Sequence, residues 1–161
     1  SWAIALHLDA AYPDAPSLMR GNPAPYRLIA NWNDQVVQGG MVRMIVSDIP
    51  ALLGEGERAY FVESREKRFG RKLEEVTADR ESRLPEFRRS LQPLRAVVTT
   101  QPFVGGEAPD YADFILLGSF MWAKAVSPLK LLEDADPVRA WRERLLDLHP
   151  EAGRAAPVFD A

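Results

Sequence analysis

The sequence predicts an all-α fold: a bundle of five or six helices around one strongly apolar helix at 110–127. Three observations support this. Apolar residues recur at spacings of three and four along most of the chain. No segment sustains an alternation of β-branched residues. Prolines stand where helices would start or stop.

The elements follow in order. Trp2, Ile4, Ala5, Leu8 and Tyr12 suit one face of a short amphipathic helix, which Pro13 and Pro16 end. The proline-dense stretch 12–25 (YPDAPSLMRGNPAP) suits a linker. A long helix is expected from Pro25, since proline fits a first turn whose N–H has no partner. Its expected buried stripe is Leu28, Ile29, Trp32, Val36 and Val37, resuming at Met41, Met44 and Ile45 after Gly39–Gly40. Two glycines within a helix, each costing about 1 kcal/mol against alanine, point either to a kink or to close approach of a ligand or partner chain. Leu84, Phe87, Leu91, Leu94 and Val98 continue a helical stripe that Pro85 and Pro93 bend or divide.

The loop 101–109 (QPFVGGEAP) leads to Asp110 and Asp113, placed as an acidic capping box. The helix that follows has apolar residues on almost every side (Phe114, Ile115, Leu116, Leu117, Phe120, Met121, Trp122, Val126), a pattern that predicts burial all round. Asp136–Pro137 opens a last helix, with Val138, Trp141, Leu145 and Leu148 inward and Arg139, Arg142, Glu143, Arg144 and Asp147 outward, ended by Pro150. Trp122 and Trp141 are expected in the core.

Composition bounds the function. The 161 residues suit one domain, or one and a piece of another. They are 47% hydrophobic and 27% charged, with a net charge of −3, so the chain is globular and not a basic nucleic-acid binder. The segment 55–89 is dense in charge but holds 10 Lys or Arg against 9 Asp or Glu, which suits solvated helix faces with i,i+4 pairs. There is no cysteine, so disulfides, thiolate ligands and a cysteine nucleophile are excluded within the chain. With two histidines, His7 and His149, no metal is expected. The longest apolar run, 114–123, is half what a membrane span needs, so no membrane segment is expected. The chain opens without methionine and inside a helical pattern, so we expect a piece of a longer protein.

Motifs of self-contained catalysis are absent: there is no GxGxxG, phosphate loop, HExxH or GxSxG. Gly105–Gly106 suits a turn. Asp134 and Asp136 suit a helix cap better than a cation site, which would want six to eight oxygens. Glu74–Glu75 suits a solvated face, and His7 a structural or surface position.

Read whole, the pattern resembles a known family. Residues 1–16 (SWAIALHLDAAYPDAP) resemble the end of the thioredoxin-like domain of cytosolic glutathione transferases. Residues 105–117 (GGEAPDYADFILL) resemble that family's helical-domain signature, a glycine loop and a capping box ending in Ala-Asp. The family usually caps with serine or threonine, and Asp110 replaces it here with the same acceptor role. Residues 61–75 (FVESREKRFGRKLEE), 120–127 (FMWAKAVS) and 136–147 (DPVRAWRERLLD) resemble the bacterial branch of the β-aryl etherases.

The resemblance implies a C-terminal helical domain at 26–161, preceded at 1–25 by the last thioredoxin-like helix and a linker. It implies glutathione as co-substrate and a small aromatic or electrophilic acceptor. A cytoplasmic homodimer follows as well. Catalysis would be conjugation or glutathione-dependent ether cleavage. The thiol-activating residue would lie in a domain this chain lacks, so the chain alone is expected to be inactive. Ser1 matches the serine that accepts the γ-glutamyl carboxylate, and serves equally as a plain N-cap. Asp34 falls where members place an acidic residue that reaches the glutathione amine across the dimer, and serves equally as a surface aspartate. Trp32, Met41 and Met44 lie on the helix that lines the acceptor pocket, where thioether and indole suit varied aromatics, and each also suits ordinary core packing. Two other interpretations stay open: a non-catalytic interaction module of the same fold, and an unrelated bundle.

Overall fold

The computed structural model describes residues 2–148, 150 and 159. Among them the fold is all-α. The helices are α1 (Trp2–Ala11), α2 (Ala24–Trp32), α3 (Gly39–Ile45), α4 (Glu55–Phe69), α5 (Leu73–Thr77), α6 (Arg80–Ser90), α7 (Gln92–Thr100), α8 (Tyr111–Val126) and α9 (Pro137–Leu148). A π-helical turn (Asn33–Gln38) joins α2 to α3, and a 3₁₀ turn (Ile49–Leu52) follows α3. The only β feature among the described residues is an isolated bridge between Phe103 and Gly106.

The rod formed by α2, the π turn and α3 buries Tyr26, Ala30, Asn33, Val37, Met41, Met44 and Ile45. Asn33, Val37 and Met41 recur every four residues along it, and the π turn, looser than an α-helix, keeps that spacing close to one line. The expected stripe is corrected at Leu28, which is 74% exposed. It stands about 200° round the helix from Tyr26, and the buried stripe includes Tyr26 and Asn33, whose side chains carry polar atoms. The glycine pair also has its reason. A Cβ at Gly40 would lie 2.9 Å from Cδ2 of the buried Phe87, so glycine lets α6 approach the rod.

The expected stripe of α1 is corrected as well. Ala5 is buried and Trp2 half-buried, whereas Ile4, Leu8 and Tyr12 are exposed. The stretch 12–23 is firmly tied. The Asp9 carboxylate accepts the N–H groups of Leu18 (2.7 Å) and Met19 (3.3 Å) and the Ser17 hydroxyl (3.0 Å). The Leu18 N–H in particular holds Asp9 below the ordinary carboxylate range. Met19 packs in a small cluster with Ala5, Tyr26, Tyr111 and Ala112.

Helix α4 starts with Glu55 and Glu57 and ends with Lys67 and Arg68, charges that match the helix dipole. Gly70 closes it at φ 69°, where a side chain would be strained. It packs through Phe61, Val62 and Phe69 on Val46, Leu73 and Val76. In the charged segment 55–89, one i,i+4 ion pair forms among the described residues, Asp79–Arg83. Other pairs reach across the fold: Arg80 grips both oxygens of Asp48 (2.9 and 2.8 Å), and Arg88 meets Glu133. Asp48 also accepts the hydroxyl of the buried Ser127, tying the ends of α3 and α8 together.

The principal core joins Val37, Met41, Met44, Phe87, Leu91, Leu94, Leu116, Phe120, Trp141 and Leu145. Helix α8 is at its centre, touching α2, α3, the π turn and α9. The capping box is present: Asp110 Oδ1 accepts the Ala112 N–H (3.0 Å), and Asp113 Oδ2 accepts the Asp110 N–H (3.2 Å). Burial all round is not: Phe114 is 41% exposed, and Gly118 and Ala125 are open. These three residues form one narrow exposed stripe, and the rest of the helix is buried or half-buried.

In α9, Val138, Trp141 and Leu145 are buried as expected, but Leu148 is exposed and Arg142, expected outside, is 2% exposed. Asp136 caps the helix through the Val138 N–H (2.9 Å) and pairs with Arg95 (2.8 Å). Burial opposes ionisation of Asp136. The Arg95 and Val138 hydrogen bonds and the charges of Arg95 and Arg88 outweigh it, so its carboxyl lies below the ordinary aspartate range. Asp134 pairs with Lys130 and Arg139.

Two predictions follow from this packing. Gly40→Ala drives a methyl into Phe87 and lowers stability by about 1–3 kcal/mol, and Phe87→Leu in the same chain recovers part of the loss in urea titrations. Asp136→Ala loses a cap and an ion pair, about 1–2 kcal/mol near pH 7. Because the folded pKa is depressed, that contribution is present above the unfolded value and disappears as pH falls through the folded one. The gap between wild type and variant therefore narrows as pH falls below the ordinary aspartate range.

Candidate functional site

A cleft of ≈ 1130 Å³ opens beside the rod, between α3, α4 and α6, with Trp122 of α8 contributing to its wall. Its volume suits a small-molecule site. Val36, Val42, Phe61, Phe69, Phe87 and Trp122 supply apolar surface. Asp34, Gln35 and Gln38 line it from the π turn, Arg43 from α3, Arg65 and Arg68 from α4, and Arg83 and Glu86 from α6. The π turn swings Asp34 and Gln35 outward while Asn33 and Val37 stay buried. Asn33 is held there by the Ser119 hydroxyl, which donates to its side-chain oxygen at 2.8 Å.

The candidate residues named from the sequence separate. Asp34 is exposed and lines the cleft; Met44 lines it while belonging to the core. Trp32 is half-buried against the core, and Met41 is fully buried in it; neither is among the cleft's lining residues. Ser1 and His149 lie outside the described residues. His7, Glu74 and Glu75 are exposed and away from the cleft. Gly39 and Gly40 both line the cleft, beside the contact with Phe87.

Several cleft residues were missed by sequence reasoning. Trp122, expected in the core, is half-buried and packs against it, and it also lines the cleft. Phe61, Arg65, Arg68 and Phe69, part of a segment expected to be solvated, share one face of α4, and the Arg65 guanidinium lies 5.0 Å from the Phe61 ring centroid. Their signal was present: positions i, i+4, i+7 and i+8 line one side of a helix, but balanced charge concealed it.

Asp110 and Asp113 do a different job. Asp113 is fully buried and accepts four N–H groups: Val104 (2.7 Å), Gly105 (2.9 Å), Asp110 (3.2 Å) and the Trp141 indole (2.8 Å). Asp110 accepts the Tyr26 hydroxyl (2.8 Å) and pairs with Arg20 (3.2 Å). Burial, then the Asp110 hydrogen bond and charge, push the Tyr26 phenol up to about 12. Arg20 also donates to the carbonyls of Gly105 and Ala108, locking the linker onto this turn. Among the described residues no acidic or histidine cluster is placed to hold a metal ion, and no helix is long and apolar enough to cross a membrane.

The family profile described as glutathione S-transferase, C-terminal domain, matches residues 26–144. The chain belongs to that family. It is also similar to a curated protein named "Glutathione S-transferase-like protein ustS" from Aspergillus flavus, at 28% identity over 136 residues, 76% of this chain. The chain spans about half (49%) of that relative's length. The all-α bundle is that of a glutathione transferase C-terminal domain, and its capping box is formed by Asp110 and Asp113.

Proposed function

We propose that this chain is the helical domain of a glutathione transferase, and that the cleft between α3, α4 and α6 receives the acceptor substrate. The observation that carries this reading is the cleft itself: aromatic walls from Phe61, Phe69 and Trp122 with Asp34 at hand, in a chain of this family. In the intact protein, the thiolate of glutathione attacks an electrophilic carbon. A carbon–sulfur bond forms, and a halide or an aryl ether oxygen leaves with its electron pair. A thioredoxin-like half, whose last helix and the linker after it are residues 1–25, supplies most of the glutathione contacts and the group that stabilises the thiolate. This chain orients the acceptor by apolar contact.

Asp34 is the residue we assign to the glutathione amine, across a homodimer, and Met44 joins the acceptor wall. Trp32 and Met41 support that wall from behind without touching substrate. Ser1 is assigned to the γ-glutamyl carboxylate. Cleavage of β-aryl ethers is the variant of this chemistry that the sequence branch suggests.

The test uses the protein that carries both halves. It consumes 1-chloro-2,4-dinitrobenzene in a glutathione-dependent reaction. Trp122→Ala raises the KM for that acceptor by about fivefold or more, the loss of one aromatic contact, and leaves the KM for glutathione unchanged. Asp34→Ala raises the KM for glutathione alone. Absence of glutathione-dependent turnover, or a Trp122→Ala variant indistinguishable from wild type, overturns the proposal.

A further inference from the structure

The acceptor cleft is not electrically neutral, and that asymmetry points to the class of molecule it takes. Four guanidinium groups line it, from Arg43, Arg65, Arg68 and Arg83, against the two carboxylates of Asp34 and Glu86. Two of the four are engaged: Arg83 pairs with Asp79 at 2.7 Å, and Arg65 lies over Phe61. Arg43 and Arg68 make no hydrogen bond or ion pair among the described residues, and both side chains are exposed to the cleft side of α3 and α4.

The charges are also ordered along the rod. Asp34 stands in the π turn and Arg43 nine residues further on, roughly 13 Å along a helix axis. Along the rod the lining therefore runs from acidic at the π turn to basic on α3, with Val36, Val42, Phe61, Phe69 and Trp122 supplying the apolar surface of the same cleft. A free guanidinium beside an aromatic wall matches a planar acid: the ring covers apolar surface while the carboxylate takes two parallel N–H donors. A neutral aromatic of the same shape would leave those donors to water.

We propose that the cleft selects aromatic acceptors that carry a carboxylate, with Arg43 and Arg68 as the specificity-determining residues. This rests on the cleft being the acceptor site. Asp34 repels such an acid from its own end and so fixes which way round the molecule lies. Glu86 weakens the attraction without reversing it, since the lining keeps two positive charges in excess.

The experiment compares two probes of one shape, 2-naphthoate and 2-naphthamide, by isothermal titration calorimetry on the protein in low salt. The acid binds about tenfold more tightly than the amide, and the preference shrinks as salt is raised. Arg43→Gln with Arg68→Gln brings the acid to within about twofold of the amide. Both arginines are exposed, and an unchanged melting temperature verifies that the double variant is folded. Trp122→Ala weakens both probes alike. Equal binding of both probes through Trp122, or an acid preference that survives the double substitution, overturns the preference for acids and spares the cleft. Binding of neither probe, or binding indifferent to Trp122→Ala, overturns the cleft itself and the preference with it.

Discussion

One buried carboxylate organises this molecule. Asp113 has no exposed surface, and its two oxygens accept N–H groups from Val104, Gly105, Asp110 and Trp141. An ionised carboxylate in the interior is costly unless its lone pairs are occupied. Here they are filled from three places: the glycine turn before α8, the cap of α8, and the middle of α9. Satisfying that charge fixes where the turn folds and how α9 lies against α8. Gly105 has no alternative, because a Cβ there would come within 2.6 Å of the Ala108 carbonyl oxygen.

The cleft inherits its shape from that arrangement. With α8 held, Ser119 reaches Asn33 and anchors the π turn, which swings Asp34 outward. Trp122, one turn further along α8, arrives at the cleft wall. Gly40 lets Phe87 close against the rod, so α6 supplies the floor rather than standing off. Asp48, gripped by Arg80 and Ser127, ties the far end of the rod to α6 and to the end of α8. The site is a consequence of helix packing, which explains why so little of it carries a local motif.

The legible parts of the sequence were those governed by local rules. The capping box, the cap at Asp136, the glycine turn and the stripe Phe87–Leu91–Leu94–Val98 follow from side-chain chemistry within a few residues. The failures came where tertiary context decides. Leu28, Ile4 and Leu8 are apolar and exposed, while Asn33 and Arg142 are polar and buried. Trp122 has a core residue's composition and a cleft residue's position, and α8 offers more apolar surface than its neighbours cover. Of the residues lining the cleft, Asp34 and Met44 are ones the sequence singles out; Arg65, Arg68 and Arg83 lie within a segment of balanced charge, and Arg43, on the rod, has no local motif.

The central claim is that Asp113 acts as an anion, with every one of its four donors using it. Asp113→Asn keeps size and shape but replaces one acceptor oxygen with an NH₂ group facing N–H donors. The direct measurement is the unfolding free energy of the two proteins by urea titration at pH 7. The account predicts a loss of about 3–5 kcal/mol, accompanied by faster hydrogen exchange at the Val104 and Gly105 amides. A variant within about 0.5 kcal/mol of wild type, with those amides equally protected, would contradict it.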